Sequence, residues 1–408
     1  MSSRRRWTAL ALSALVGALM LPGGTASADH EATLKIQVGA YLDSAPAETM
    51  RFYPGELNVH EGDTLNFYGE FHTATMIPSS YATAEEWEAA KATNPGDEWH
   101  GIVDNPDNVG IPWKLLGDNL FSPRTDCGSA EDPCEYTGST ELDSGLLLSY
   151  MQFTGPDDPP TNPGFSVTID AAAGTSFWVI CRIHPNMKMK VNVVADEVAS
   201  HSQEEIDAAK ASAIDTDDSA AGALHEQLQT MKESTRLPNG KREWKAYAGY
   251  DTTNFALFDM YPARLKLRKG DKVRWDFSAL YHETHTATHP AKHVVENPFE
   301  APLCDPNGDD ESGGETLANF NGPFPSCSEG QAFELALPAA NVTESGDGVI
   351  RSASDVENSG VAGQLGGAPG RGMEPYVVSF PKPAKKLYKF VCYIHPDMRN
   401  GVKVRRVR

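Results

Sequence analysis

Hydrophobic and polar positions alternate along two stretches of this chain that can be laid over one another. Tyr53-Pro54-Gly-Glu-Leu57-Asn-Val59-His60-Glu-Gly62-Asp63-Thr-Leu65-Asn-Phe67 matches Tyr261-Pro262-Ala-Arg-Leu265-Lys-Leu267-Arg-Lys-Gly270-Asp271-Lys-Val273-Arg-Trp275 position for position. The period of two predicts half-buried strands, broken by a turn at each Gly-Asp. Farther along, apolar and aromatic-rich runs at 177–181 and 387–392 predict buried strands, and short alternating runs at 188–194 and 401–407 follow them. A strand, a tight loop and an adjacent strand are therefore expected twice.

Between these repeats the pattern changes. Residues 197–241 hold Ala, Glu, Asp, Gln and Ser with no aromatic residue. Ser202-Gln-Glu-Glu205 predicts a capping box that opens a helix, and 221–233 predicts a second helical stretch. Two segments rich in Gly, Pro, Asp and Asn, 76–160 and 289–374, predict long loops with short helices such as Ala84–Ala92. The repeat divides the 408 residues into a domain at 29–196, a partly helical linker at 197–241 and a second domain at 242–408. Both domains are expected to be all-β.

The chemistry sits in the loops. Cys181-Arg-Ile-His184-Pro-Asn-Met187 recurs as Cys392-Tyr-Ile-His395-Pro-Asp-Met398. A thiolate, an imidazole and a thioether within seven residues form a soft S/N donor set suited to copper, because Cys and His with a weak axial Met ligate electron-transfer copper. A second histidine must come from elsewhere, and the repeat points to it: His72-Thr-Ala-Thr75 and His285-Thr-Ala-Thr288 follow the matched strand pairs. His72 precedes Cys181 by 109 positions and His285 precedes Cys392 by 107. His282, His289 and His293 lie close to His285 and compete for the same role. Zinc is a poorer match, since structural zinc sites take Cys and His and not Met.

These motifs resemble the cupredoxin superfamily, the relatives of plastocyanin and azurin, and the short loop is most similar to that of amicyanin and pseudoazurin. The resemblance implies two Greek-key β-sandwiches, each with one type 1 copper at its end. The metal ligands would be His72, Cys181, His184 and Met187 in the first, and His285, Cys392, His395 and Met398 in the second. It also implies that His184 and His395 present a ring edge near the surface as electron portals, with Pro185 and Pro396 stiffening the loops. One departure stands out: each half has a long insertion between its upstream His and its Cys, which the family does not explain.

That resemblance implies an electron-transfer protein and not an enzyme, with two alternatives open. Copper nitrite reductases and small laccases place a His beside the Cys, whereas Cys181 is flanked by Ile180 and Arg182 and Cys392 by Val391 and Tyr393. A catalytic copper assembled from His282, His289, His293, His60 or His100 would restore the enzyme reading. Copper storage or delivery is the other alternative, with Met76 and Met189 near the ligand runs; packing explains isolated methionines more simply.

The remaining four cysteines fall as close pairs, Cys127 with Cys134 and Cys304 with Cys327, and local pairing would leave the two proposed ligands as thiolates. Oxidised pairs suit an exported chain. Arg4-Arg5-Arg6, an apolar stretch from 9 to 21 and Ala26-Ser-Ala28 predict a signal peptide at 1–28, by the secretory or the twin-arginine route. No other stretch is long enough to span a membrane, so a periplasmic or extracellular protein is expected. Loss of three arginines with the signal takes the formal charge from −21 to −24. Such acidity disfavours nucleic acid and would steer a basic redox partner at low ionic strength. The acidic run from Asp305 to Glu311 lacks the Gly at the sixth position and the Glu at the twelfth that a calcium loop needs.

Overall fold

The computed structural model describes residues 31–69, 72–92, 102–104, 113–115, 127–147, 163–184, 186–296, 344–363, 372–395 and 397–406. The chain is all-β, with two sandwich lobes and a helical connection. In the first lobe one sheet runs Cys134–Tyr136, Phe165–Ile169, Thr64–Gly69, Thr33–Val38, Phe52–Tyr53, and the other runs Leu142–Leu146, Thr73–Met76, Ser176–Ile180, Lys188–Val193, Glu56–Val59. Neighbours in each sheet are often distant in sequence, which is the crossing pattern of a Greek key.

Alternation explains how the layers close. Leu34, Ile36, Val38, Leu65 and Phe67 on one sheet meet Leu57, Val59, Phe177, Val179, Met189 and Val191 on the other in one buried core. The second lobe repeats the plan with Leu265, Leu267, Val273, Trp275, Phe390, Val402 and Val404. Parallel pairings recur in matched places: Thr33–Val38 with Thr64–Gly69, and Arg242–Asp251 with Lys272–Trp275. Both Gly-Asp turns are tied to the first strand of their lobe. Asp63 accepts from the amide of Ala32 at 2.9 Å, and Asp271 from that of Arg242 at 3.0 Å.

Three features differ from the sequence expectation. First, the insertions are not only loops with helices: Leu142–Leu146 and Glu357–Ser359 pair with the strands that carry the His-Thr-Ala-Thr runs. Helix Ala84–Ala92 forms as expected and buries Trp87 against Ile77 and Ile180. Second, the two helical stretches of the linker are one continuous helix, Gln203–Gln229, with the Ser202 capping box in place, and Ser234–Arg236 beyond it is a strand paired with Arg242–Asp251. The four residues from Asp215 to Asp218 are weak helix formers, but tertiary contacts hold them. Buried Asp217 accepts from Arg51 of the first lobe at 3.0 Å and from Asn254 of the second at 3.2 Å. Third, the hairpin of Tyr41–Leu42 and Ala47–Thr49 leaves the first lobe and joins the sheet of the second, pairing with Phe255–Tyr261.

The seam between the lobes is thus a packed core. Leu42, Ala45 and Ala47 meet Leu257, Tyr261 and the helix residues Ala221 and Leu228. Asp217→Ala is expected to lower stability by about 1.5–3 kcal/mol, the range for losing hydrogen bonds to a charged group. Urea denaturation measures this; an unchanged midpoint would show that the helix does not clamp the lobes.

Cys127 and Cys134 form a disulfide with Cα atoms 5.0 Å apart, while Cys181 and Cys392 are free and buried. Cys304, Cys327, the signal segment, the acidic run at 305–311, His100, Pro185 and Pro396 lie outside the described residues. No helix among the described residues is long and apolar enough to cross a membrane.

Candidate metal centres

Each ligand loop is closed by the same two backbone bonds. The amide of Cys181 donates to the carbonyl of Met187 at 3.0 Å, and that of Met187 to His184 at 3.3 Å; in the second lobe the corresponding distances are 3.1 and 3.0 Å. These bonds turn the chain tightly between Ser176–Ile180 and Lys188–Val193, and between Tyr388–Val391 and Arg399–Arg405. Met187 and Met398 are buried in the same cores as the cysteines.

The upstream histidines arrive at the same ends. Nδ1 of His72 lies 2.8 Å from Nδ1 of His184, and Cys181 Sγ lies 3.8 and 3.6 Å from them. His285, not His282, His289 or His293, meets the second loop. Its Nδ1 is 3.0 Å from Nδ1 of His395, with Cys392 Sγ 3.8 Å from both. Among the described residues these are the two groups of His, Cys, Asp or Glu side chains whose ligand atoms all lie within 4.8 Å of one another. The other candidates are committed elsewhere: His282 Nε2 to the carbonyl of Thr252, His289 Nδ1 to that of Lys389, and His60 Nε2 to that of Val198. Met76 and Met189 are core residues.

The His-Thr-Ala-Thr run has a physical reason in both lobes. The amide of Thr73 donates to Cys181 Sγ at 3.4 Å, and that of Thr286 to Cys392 Sγ at 3.3 Å. Each Thr hydroxyl accepts from the amide after the cysteine, Arg182 at 2.8 Å and Tyr393 at 2.7 Å. Thr75 and Thr288 donate to Asp143 and Asn358 of the insertion strands at 3.1 and 2.9 Å. Asp143 also holds the buried Arg182 guanidinium at 2.7 Å. The lobes therefore differ behind the sulfur: a charged pair in the first, Tyr393 and Asn358 in the second.

Sequence reasoning missed these partners, although a signal exists. Asp143-Ser144-Gly145 and Asn358-Ser359-Gly360 are themselves a repeat, and Ser144 and Ser359 accept from the amides of Ala74 and Ala287 at 2.8 and 2.9 Å. Glu48, which accepts from His72 Nε2 at 2.8 Å, carries no comparable signal because it arrives on the exchanged hairpin.

The donor set fits a soft cation. With His72 Nε2 directed at Glu48 and His184 Nε2 at the Glu283 carboxylate 2.9 Å away, the Nδ1 lone pairs converge on each other and on the sulfur. That convergence requires a positive charge. In the metal-free protein protons supply it. Burial acts against charge on His184, but the Glu283 carboxylate and the Cys181 sulfur outweigh it and raise its pKa well above the ordinary value. Burial likewise opposes a thiolate at Cys181, yet the neighbouring His184 and His72 hold its pKa well below the ordinary thiol value. Cys392 is lowered in the same way, against burial, by hydrogen bonds from His285 and His395.

The portal expectation needs correction. His184 is buried beneath Glu283 of the other lobe, and only the His395 side chain, at 28% exposure, reaches the surface.

No family model matches the chain, and no curated protein does. Among solved structures, a copper-containing nitrite reductase from Thermus scotoductus SA-01 aligns over 93% of this chain and 69% of its own, at 12% identity and a TM-score of 0.19. A superposition of that quality transfers neither fold nor activity.

Proposed function

We propose that this protein is an exported two-centre blue copper protein that transfers single electrons, with one type 1 copper in each lobe. The observation that carries this reading is the matched pair of buried Cys-His-His cages, built by the same hydrogen bonds at the same end of both lobes. His72, Cys181, His184 and Met187 would hold one ion, and His285, Cys392, His395 and Met398 the other. Bound copper supplies a Cu(II)/Cu(I) couple.

The chain's own residues supply rigidity. The Thr amides and the cysteine-to-methionine backbone bonds hold the sulfurs in place, and Glu48 and Glu283 fix the first-lobe rings. A cage that does not rearrange keeps reorganisation small when charge changes, which suits electron transfer better than release to a chaperone. The charge of −21, or −24 once the three arginines of the signal are lost, favours a basic redox partner.

The enzyme alternative requires a third copper. Metal analysis with visible and paramagnetic-resonance spectra decides: two coppers per chain with type 1 features alone support electron transfer, and a type 2 signal or a third copper supports the enzyme. Rapid loss of copper to a chelator would instead support delivery.

Protons and copper should compete for the cages. Burial works against charge on both rings, yet His184 is raised well above its ordinary value by the Glu283 carboxylate and the Cys181 sulfur, and His395 is raised by the Cys392 sulfur, so each holds a proton more tightly than a free imidazole and the metal must displace it. Copper binding is expected to release about one proton per site and to weaken as pH falls. Calorimetry in buffers of different ionisation enthalpy measures the release; a buffer-independent heat would refute it.

A further inference from the structure

The two cages meet across the lobe boundary at one side chain. Glu283 Oε1 lies 2.9 Å from Nε2 of His184, and its Oε2 lies 4.0 Å from Nε2 of His395. Both rings turn Nδ1 inward to their own cysteine, so the carboxylate joins the outer edges of two imidazoles from different centres. Glu283 is only 12% exposed.

Its position is fixed by more than those contacts. The buried Asp251 carboxylate accepts from the amides of Tyr281, His282 and Glu283 at 2.7, 2.7 and 3.0 Å, holding the backbone that carries it. Phe258 packs against the rings of His285 and His395, at 6.0 and 5.1 Å between centroids. The exchanged hairpin and the linker helix keep the lobes in register around this point. A single anion therefore faces two rings, one in hydrogen-bond contact and one beyond it.

We propose that Glu283 is a shared positioning residue that couples the two centres, so that a change of charge in one lobe is felt in the other. This rests on the reading that both lobes hold copper. A carboxylate stabilises the more highly charged state of whichever ring it contacts, and one carboxylate cannot contact both rings equally at 2.9 and 4.0 Å. Oxidation on one side strengthens that side's contact at the expense of the other. Coupling of this kind is reciprocal and typically amounts to roughly fivefold or more in an equilibrium constant.

The test is a double-mutant cycle of midpoint potentials on the full-length copper-loaded protein. Glu283→Gln should raise both midpoints, that of the first lobe more. Cys392→Ser, which empties the second lobe, should shift the first-lobe midpoint, and the shift should fall to roughly half or less when E283Q is also present. Nitrogen NMR of the metal-free protein gives an independent readout: the Nε2–H proton of His184 should move upfield in E283Q as its partner loses its charge, while that of His72 stays in place. Glu283→Asp, which keeps the charge but withdraws it, should move the midpoints the same way by less and serves if the amide variant folds poorly. Two bound coppers whose midpoints and shifts ignore E283Q would overturn the coupling and leave the electron-transfer reading standing. Fewer than two type 1 coppers in the unmutated protein would overturn both.

Discussion

Cys181→Ser is expected to remove one of two bound coppers and about half of the blue absorbance, and Cys392→Ser the other half. Both cysteines are free and buried, and each is the sulfur on which two imidazole nitrogens converge. Serine nearly matches cysteine in shape and can accept the same amide bond from Thr73 or Thr286. The fold should therefore survive while the soft, ionised ligand disappears. A serine hydroxyl stays protonated and offers a hard oxygen where copper prefers sulfur. Visible spectra and copper analysis of the two variants give the answer. Full colour in either would mean that its lobe holds no type 1 copper.

Gly249→Ala is expected to empty the second centre without touching any ligand, and Gly39→Ala the first. A Cβ on Gly249 would sit 2.1 Å from His285 Cδ2, and one on Gly39 would sit 2.1 Å from His72 Nε2. Both glycines also have left-handed backbones, with φ of +78° and +71°. Alanine there costs about 1–2 kcal/mol for the backbone. Overpacking adds about 1–3 kcal/mol as the ring is forced aside. The imidazole is the softest neighbour, so the ligand moves first. Copper stoichiometry and urea denaturation together check this: loss of metal from the altered lobe with a lowered midpoint is expected, and full occupancy with an unchanged spectrum would refute it.

Legibility in the sequence followed locality. The strand pairs, both Cys-to-Met loops and the meeting of His285 with Cys392 and His395 could be read because each lies in a short run that occurs twice. Glu283, two residues before His285, was visible as a residue but not as a bridge, since its partners His184 and His395 are far away in the chain. Gly39 and Gly249 lie 14 and 12 residues before their Tyr-Pro pairs, and that unequal spacing hid their equivalence. The hairpin of Tyr41–Leu42 and Ala47–Thr49 is too short to show a period, and its pairing with Phe255–Tyr261 is a tertiary fact. The single linker helix contradicts local propensity around Asp217 because Arg51 and Asn254 compensate its burial.

The exchanged hairpin bears on how the molecule can be taken apart. Phe255–Tyr261 has Ala47–Thr49 beside it, so a chain severed in the linker would leave the C-terminal piece with a naked row of amides and carbonyls. Such a piece, made alone, would be driven to borrow a strand from a neighbour and precipitate or dimerise. Supplied with the N-terminal piece, it has its own missing strand to recapture. On this pairing the two halves, alike as their sequences look, lean on one another and are not interchangeable modules.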